Sequence, residues 1–546
     1  MAMRYADANG HSNLTDAAEP EDVGSRKITR VGELVRGLTP SGSPREFVSC
    51  LSCYLPSRIA LFWAAIILAA IPATAFGQTE LPRTLRYQIA EIGQPVSDGH
   101  VAQPDVVAVN NEFAAPSAEI PLEQQLQMLR QEFNAMKDGL SKPKFPSVEV
   151  HGAFQVDSAW FHQSGNNIAT INDLDGASGN GNIRDGAAFR RARLSANGAV
   201  LPNMNYFLQM DFAFFGRPTF TDVWMEFTKV PVLGNVRVGQ WKQPFSLEVV
   251  SSFRYTTFAE RSVLFQAFVP FRHIGVGFWN YSEDERITWA ASVYRPGQDQ
   301  FGGSLSDSGG YAGVGRITAL PWWECEGANY LHVGAAYNYV APKDELARFR
   351  TIPEYFVGEQ AGTSPAGTSG VAAPGAFNGT PFFVDTGTQG IEHYQLIGSE
   401  LLWVNGPLSV QSEAMWLFGT RTNGQSLYFP GAYAQVGYFL TGEHRPYNRK
   451  QGAIDRIQVK RPFGNDRGDD SERGWGGWEI AARYSYIDLN SKDISGGRLQ
   501  DMTLGLNWYI NNYSKIQFNY VRAFLDNRVH GDSTADIFGL RAQLDF

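Results

Sequence analysis

Clusters of basic side chains define the chemistry to look for in this chain. Between residues 442 and 461 stand Arg445, Arg449, Lys450, Arg456, Lys460 and Arg461, against only Glu443 and Asp455. A second stretch, 245–272, carries Arg254, Arg261 and Arg272 against Glu248 and Glu260, and Lys242 immediately precedes it. Arg191, Arg193 and Arg483 fall on the polar side of segments whose residues alternate polar and apolar. Charges of one sign around an opening select ions of the other sign. Arginine suits phosphate-like groups because its planar fork offers two parallel donors. The candidate pore-lining, anion-binding set is therefore Arg191, Arg193, Lys242, Arg254, Arg261, Arg272, Arg445, Arg449, Lys450, Lys460, Arg461 and Arg483. The competing reading is that these charges pair with acidic neighbours or sit in solvent.

Other chemistry finds little footing. His151, His162, His273, His332, His393, His444 and His530 could act as bases, but no local motif marks a Ser or Asp partner, so no catalytic residue is assigned. Cys50 and Cys53 form a CxxC, yet no second CxxC or His pair follows and both precede an export signal. Cys325 stands alone. No metal site and no cofactor are expected. A net charge of −9 carries no nucleic-acid footprint. The first 75 residues hold equal numbers of basic and acidic residues, so the rest of the chain keeps that acidic balance.

The elements that must position these charges read as strands. Aromatics make up 13% of the 546 residues and glycine is frequent at 56, while charged residues are only 18%. A mean hydropathy of −0.25 argues against many spanning helices, each of which needs about 20 apolar residues. The single long apolar run, Ile59 to Ile71, follows Arg58 and precedes the small-residue site Pro72-Ala73-Thr74-Ala75. That is the pattern of a cleaved secretory signal. Residues 1–75 are thus expected to be an N-terminal extension and signal peptide, and 76–120 a linker. Leu122, Leu126, Leu129, Phe133, Met136 and Leu140 follow heptad spacing, so 121–141 is expected to be a coiled-coil helix.

From residue 148 the period becomes two. Val148, Val150, Phe154 and Val156 alternate with Glu149, His151, Gln155 and Asp157; Met502, Leu504, Leu506 and Trp508 alternate with Thr503, Gly505, Asn507 and Tyr509. Segments of about ten residues with one apolar and one polar side are the signature of a barrel with lipid outside and water inside. The expected fold is all-β: a sixteen-stranded antiparallel transmembrane barrel over 148–546, with segments near 148–161, 187–200, 204–215, 219–229, 235–244, 273–281, 286–295, 311–320, 329–340, 393–404, 408–418, 432–441, 477–489, 499–510, 514–525 and 535–546. Trp160, Trp241, Trp279, Trp289, Trp403, Trp416, Trp478 and Trp508 fall near strand ends and suit interfacial girdles. Leu540, Ala542, Leu544 and Phe546 close the chain with the terminal aromatic of an outer-membrane assembly signal. Long connectors are expected after odd strands and short ones after even strands; 442–476, after strand 12, is the exception.

The wording of the strands resembles the phosphate-selective porin O and P family. The resemblance rests on Gly239-Gln-Trp-Lys-Gln-Pro-Phe-Ser-Leu-Glu248, Thr257-Phe-Ala-Glu-Arg-Ser262, Phe268-Val-Pro with Arg272-His-Ile-Gly-Val276, Phe189-Arg-Arg-Ala-Arg-Leu194, Tyr438-Phe-Leu-Thr-Gly-Glu443 with Arg445-Pro-Tyr447, and Gly539-Leu-Arg-Ala-Gln-Leu-Asp-Phe546. It implies a homotrimeric outer-membrane porin whose third external loop and one basic periplasmic loop fold into the pore, with lysines and arginines binding phosphate. The expected function is passive diffusion that favours small anions. The expected partners are outer-membrane lipid and the barrel assembly machinery, with an N-terminal stalk in the periplasm. The acidic overall balance, and the absence of lysine from 245–272, keep a non-selective general porin open as an alternative. An outer-membrane tether or adhesin, built on the 121–141 helix and the 341–392 loop, is a second.

Overall fold

The computed structural model describes residues 121, 123–124, 126–132, 145–174, 181–213, 218–297, 309–357, 380–464 and 474–546. Sixteen long strands form the wall. The first half comprises β1 (Glu149–Gln163), β2 (Gly186–Leu201), β3 (Met204–Asp211), β4 (Thr219–Val230), β5 (Gly234–Lys242), β6 (Arg272–Tyr281), β7 (Ile287–Tyr294) and β8 (Tyr311–Glu324). The second half comprises β9 (Asn329–Ala341), β10 (Gln389–Asn405), β11 (Leu408–Arg421), β12 (Ser426–Phe439), β13 (Gly477–Ser491), β14 (Ile494–Asn511), β15 (Ser514–Asn527) and β16 (Gly531–Asp545). Each strand pairs antiparallel with its sequence neighbour, and β1 pairs with β16 from Ala153↔Asp545 to Gln163↔Ala535. Closure leaves the wall no free edge, which is what a sheet in lipid requires. The sixteen expected segments coincide with these strands one for one.

The alternation runs in the sense opposite to that of a water-soluble sheet. On β14, Asp501 and Thr503 are fully buried, while Met502 and Leu504 are 51% and 46% exposed. On β16, Arg541 is buried and Phe538 faces outward. Polar side chains inside and apolar ones outside match a wall solvated by hydrocarbon. Trp160 is exposed on the outer surface, and Trp478 stacks on Trp508 at 5.5 Å, as girdle residues should. Trp241 and Trp279 depart from that expectation. Trp241 is only 4% exposed, the Trp279 indole donates to Glu226 Oε2 at 2.8 Å, and both line the interior. Their position in the alternation, shared with Arg237 on β5 and with Gly277 on β6, sets their side; their residue type does not.

Connectors at the end opposite the two barrel termini are long after β1, β5, β7 and β9, as expected, but short after β11 (422–425), β13 (492–493) and β15 (528–530). There β10 to β16 run longer, so strand takes the place of loop. The connector after β1 contains α1 (Gly165–Leu174). The connector after β5 contains α2 (Leu247–Val250), the 3-10 turn Phe253–Tyr255 and α3 (Leu264–Phe268). Of the heptad positions, 126–132 is helical, with Leu126 and Leu129 exposed; Leu122, Phe133, Met136 and Leu140 lie outside the described residues, as do the expected signal and linker.

Candidate functional site

The connector 243–271 folds into the barrel because its sequence is too apolar for water. Phe245, Leu247, Val249, Val263, Leu264, Ala267, Phe268 and Val269 are all buried there. A chain crossing the lumen must also satisfy its backbone groups, and the polar inner side of the far wall does this. Ala259 N–H donates to Asn519 Oδ1 at 2.8 Å, and the Thr257 carbonyl accepts from Asn507 Nδ2 at 2.7 Å and Gln517 Nε2 at 3.0 Å. Lys515 Nζ reaches the Thr256 carbonyl at 2.9 Å.

Glu260 is the main electrostatic anchor of this loop. It takes two hydrogen bonds from Arg190, at 2.8 and 3.2 Å, and a third from Arg541, which also forks onto Asp157 at 2.7 and 2.5 Å. Burial alone would raise the pKa of Glu260, but Arg190, Arg541 and Arg191 outweigh it and hold the carboxyl well below its ordinary range. Arg261 stays inside the loop, donating to the carbonyls of Glu248 (2.9 Å), Val249 (3.2 Å) and Ser251 (3.3 Å). Burial pushes its pKa down to about 10, against Glu248 and Glu260, so it remains charged at neutral pH.

A second inward layer comes from 346–357 and 380–388. Arg350–Thr351 pairs with Val384–Asp385, and Glu354 accepts from Arg483 Nε at 2.7 Å and Thr503 Oγ1 at 2.5 Å. Glycines on the inner wall make room for these insertions. A Cβ at Gly431 would stand 2.3 Å from Leu264, one at Gly539 2.2 Å from the Tyr355 ring, and one at Gly505 3.0 Å from Phe258.

The long basic connector after β12 also turns inward. Its short hairpin pairs Tyr447–Asn448 with Ala453–Ile454. Tyr447 Oη meets His332 Nδ1 of β9 at 2.5 Å, Tyr330 donates to the Arg445 carbonyl at 3.0 Å, and Arg316 of β8 donates to the Gly452 carbonyl at 2.9 Å. Ile454 N–H reaches Ser251 Oγ at 3.2 Å, tying this hairpin to the inward loop.

Between the inward connectors after β5 and β12 and the wall of β1 to β8 lies a cavity of about 990 Å³. Six residues of the candidate set line it: Arg193, Lys242, Arg254, Arg272, Arg449 and Lys450. The other six do not. Arg191 bonds Gln155 at 2.5 Å; Arg483 is buried between Glu354 (2.7 Å) and Glu248 (3.1 Å); Arg261 caps its own loop. Arg445 pairs with Glu479, Lys460 bonds the Gly442 carbonyl, and Arg461 is exposed elsewhere. Arg237, Arg316 and Arg456 also line the cavity. Arg237 and Arg316 were open to sequence reasoning, since each shares its inward position with outward Val236 or Ile317 as the neighbour.

Nine basic and six acidic side chains line this cavity. Neighbouring carboxylates take up several of the basic groups: Arg193 bonds Asp211 at 2.6 Å, Arg272 bonds Asp222 at 2.6 Å, Arg237 bonds Glu226 at 2.6 Å, and Arg254 lies 3.4 Å from Asp545. Lys242 Nζ goes instead to the carbonyls of Val249 (2.8 Å) and Ser251 (3.0 Å). Three guanidinium groups surround the Phe253 ring, with Arg191, Arg193 and Arg254 at 4.9, 4.8 and 5.0 Å from its centre. The ring's negative face lets like charges gather there. His444, also on the lining, is held below the ordinary imidazole value by burial and then by Lys460, so it is neutral at neutral pH.

The family model for phosphate-selective porin O and P matches residues 161–546. Porin O of Pseudomonas aeruginosa is 26% identical over 392 residues, 67% of this chain and 84% of that protein. An uncharacterised protein of Caulobacter vibrioides is 25% identical over 376 residues, 66% of this chain and 68% of that one. Among solved structures, the anion-selective porin from Comamonas acidovorans superposes with a TM-score of 0.41 at 12% identity, over 73% of this chain and 99% of that one. The match in sequence covers nearly the whole closed barrel and both inward connectors, and the chain belongs to the phosphate-selective porin O and P family.

Proposed function

We propose that this outer-membrane porin is a passive diffusion channel that favours small anions, phosphate among them. The observation that carries this reading is the excess of basic over acidic groups on the cavity wall, with Arg193 and Arg254 gathered on the Phe253 ring. A fixed excess of positive charge in a narrow, partly dehydrated passage raises the local concentration of anions and repels cations. Paired guanidiniums still present outward N–H donors, so an oxoanion can exchange its hydration for them step by step. The description of the matching family, phosphate-selective porin O and P, agrees with this direction.

The remaining parts follow the same plan. The barrel termini lie on the periplasmic side, residues 1–75 direct export, 76–120 tether, and 121–141 forms a coiled-coil stalk that helps hold a homotrimer. The twelve candidate residues then divide into those that meet the solute and those that hold the inward loops. Proteoliposomes loaded with phosphate test this reading. Phosphate efflux above that of empty liposomes, saturating with concentration, is expected; efflux equal to the empty control would overturn the channel, and potassium outrunning chloride would overturn its preference.

A further inference from the structure

We propose that the cavity beneath the inward loop is a binding site for oxoanions that carry a flat apolar ring, of the aryl phosphate or aryl carboxylate class. This rests on the channel reading above and narrows its solute. The wall contributes Phe207, Trp224, Trp241, Trp279 and Tyr281, and the loop contributes Phe253. All five wall residues stand on the side of their strands that a water-filled lumen gives to polar groups. A bare hydrated phosphate gains nothing from such a surface, because it has no apolar area to bury. A ring gains contact with each aromatic face or edge it meets.

The indoles are organised, and one is incomplete. Phe207 stacks on Trp224 at 5.6 Å with planes 12° apart, and Arg237 lies over the Trp224 ring at 3.9 Å. Trp279 stacks on Tyr281 at 6.3 Å, and its N–H is satisfied by Glu226. Trp224, only 8% exposed, has a buried indole N–H with no acceptor among the described residues. A buried donor without a partner is costly in a native structure and is met by a ligand acceptor or by water. An oxoanion oxygen would satisfy it. The basic groups Arg193, Lys242, Arg254 and Arg272 line the same cavity, so the ring and its charged group both find partners there. A volume of about 990 Å³ admits a solute of this size with room to pass.

The test is block of chloride current through the full-length protein in planar bilayers, titrated with inorganic phosphate and with phenyl phosphate. Phenyl phosphate should half-block at a concentration about tenfold lower, the ratio that one aromatic contact of ordinary strength provides. Trp224→Leu and, separately, Phe207→Leu should bring that ratio toward one. Equal half-blocking concentrations in the unmodified protein would overturn the proposal while leaving the channel intact. A ratio unchanged in both variants would overturn it as well. Absence of chloride current would instead overturn the channel reading itself.

Discussion

At the scale of single residues, the arginines separate into two kinds that look alike in sequence. Arg254 lines the cavity, whereas Arg261, seven residues on, spends its donors on carbonyls of its own loop. Arg254→Glu should therefore move the reversal potential toward cations in a salt gradient, with single-channel conductance largely retained. Arg261→Glu should instead disturb the loop and give irregular, larger conductance. Similar selectivity shifts with steady conductance in both variants would contradict this division. Glu260 behaves as a lock. Glu260→Gln leaves three guanidiniums short of charge compensation, a loss of about 3–5 kcal/mol for a buried pair broken on one side. Single-channel noise and protease sensitivity of the loop should rise. The folded-state pKa of Glu260 is depressed, so its contribution is complete above the ordinary carboxylate value of about 4.3 and is lost as pH falls through the lower folded value. Conductance should thus hold steady from pH 7 to pH 5, with loop release confined to more acid solution; release near pH 6 would show that another group governs it.

At the scale of elements, the strands were legible in the residues themselves, whereas the inward turn of the loops came only from the family resemblance. A strand's alternation is written in adjacent residues, and the hydrocarbon outside makes the pattern plain; the course of a loop through the lumen depends on partners hundreds of residues away. Glu260 meets Arg541, and Glu354 meets Arg483 and Thr503, pairings that no local period encodes. The same distinction explains the site. Residue type and position put Arg193 and Lys242 among the candidates, but whether an inward basic side chain faces solute or anchors a loop is decided by what crosses the barrel. Trp241 and Trp279 were assigned to the membrane girdles by residue type, although strand parity places them inside. The wall glycines gain meaning only with the loops in place. Gly431→Val puts a side chain where Leu264 sits, and Gly539→Val one where Tyr355 sits. Each should displace an inward segment and raise single-channel conductance, with heat-resistant barrel structure retained; unchanged conductance in both would mean that these loops do not limit flow.

At the scale of the whole molecule, an acidic chain encloses a passage whose wall is basic. The net charge of −9 belongs to the full sequence, while the cavity counts nine basic against six acidic groups, so the overall balance does not predict what the solute meets. Ion pairs with Asp211, Asp222 and Glu226 moderate that excess and let several arginines share a small volume without unfolding the wall. The most direct test is the zero-current potential of the purified protein in a planar bilayer across a potassium chloride gradient. Anion preference through this passage gives a potential displaced toward the chloride equilibrium value, and a potential displaced toward that of potassium would contradict it.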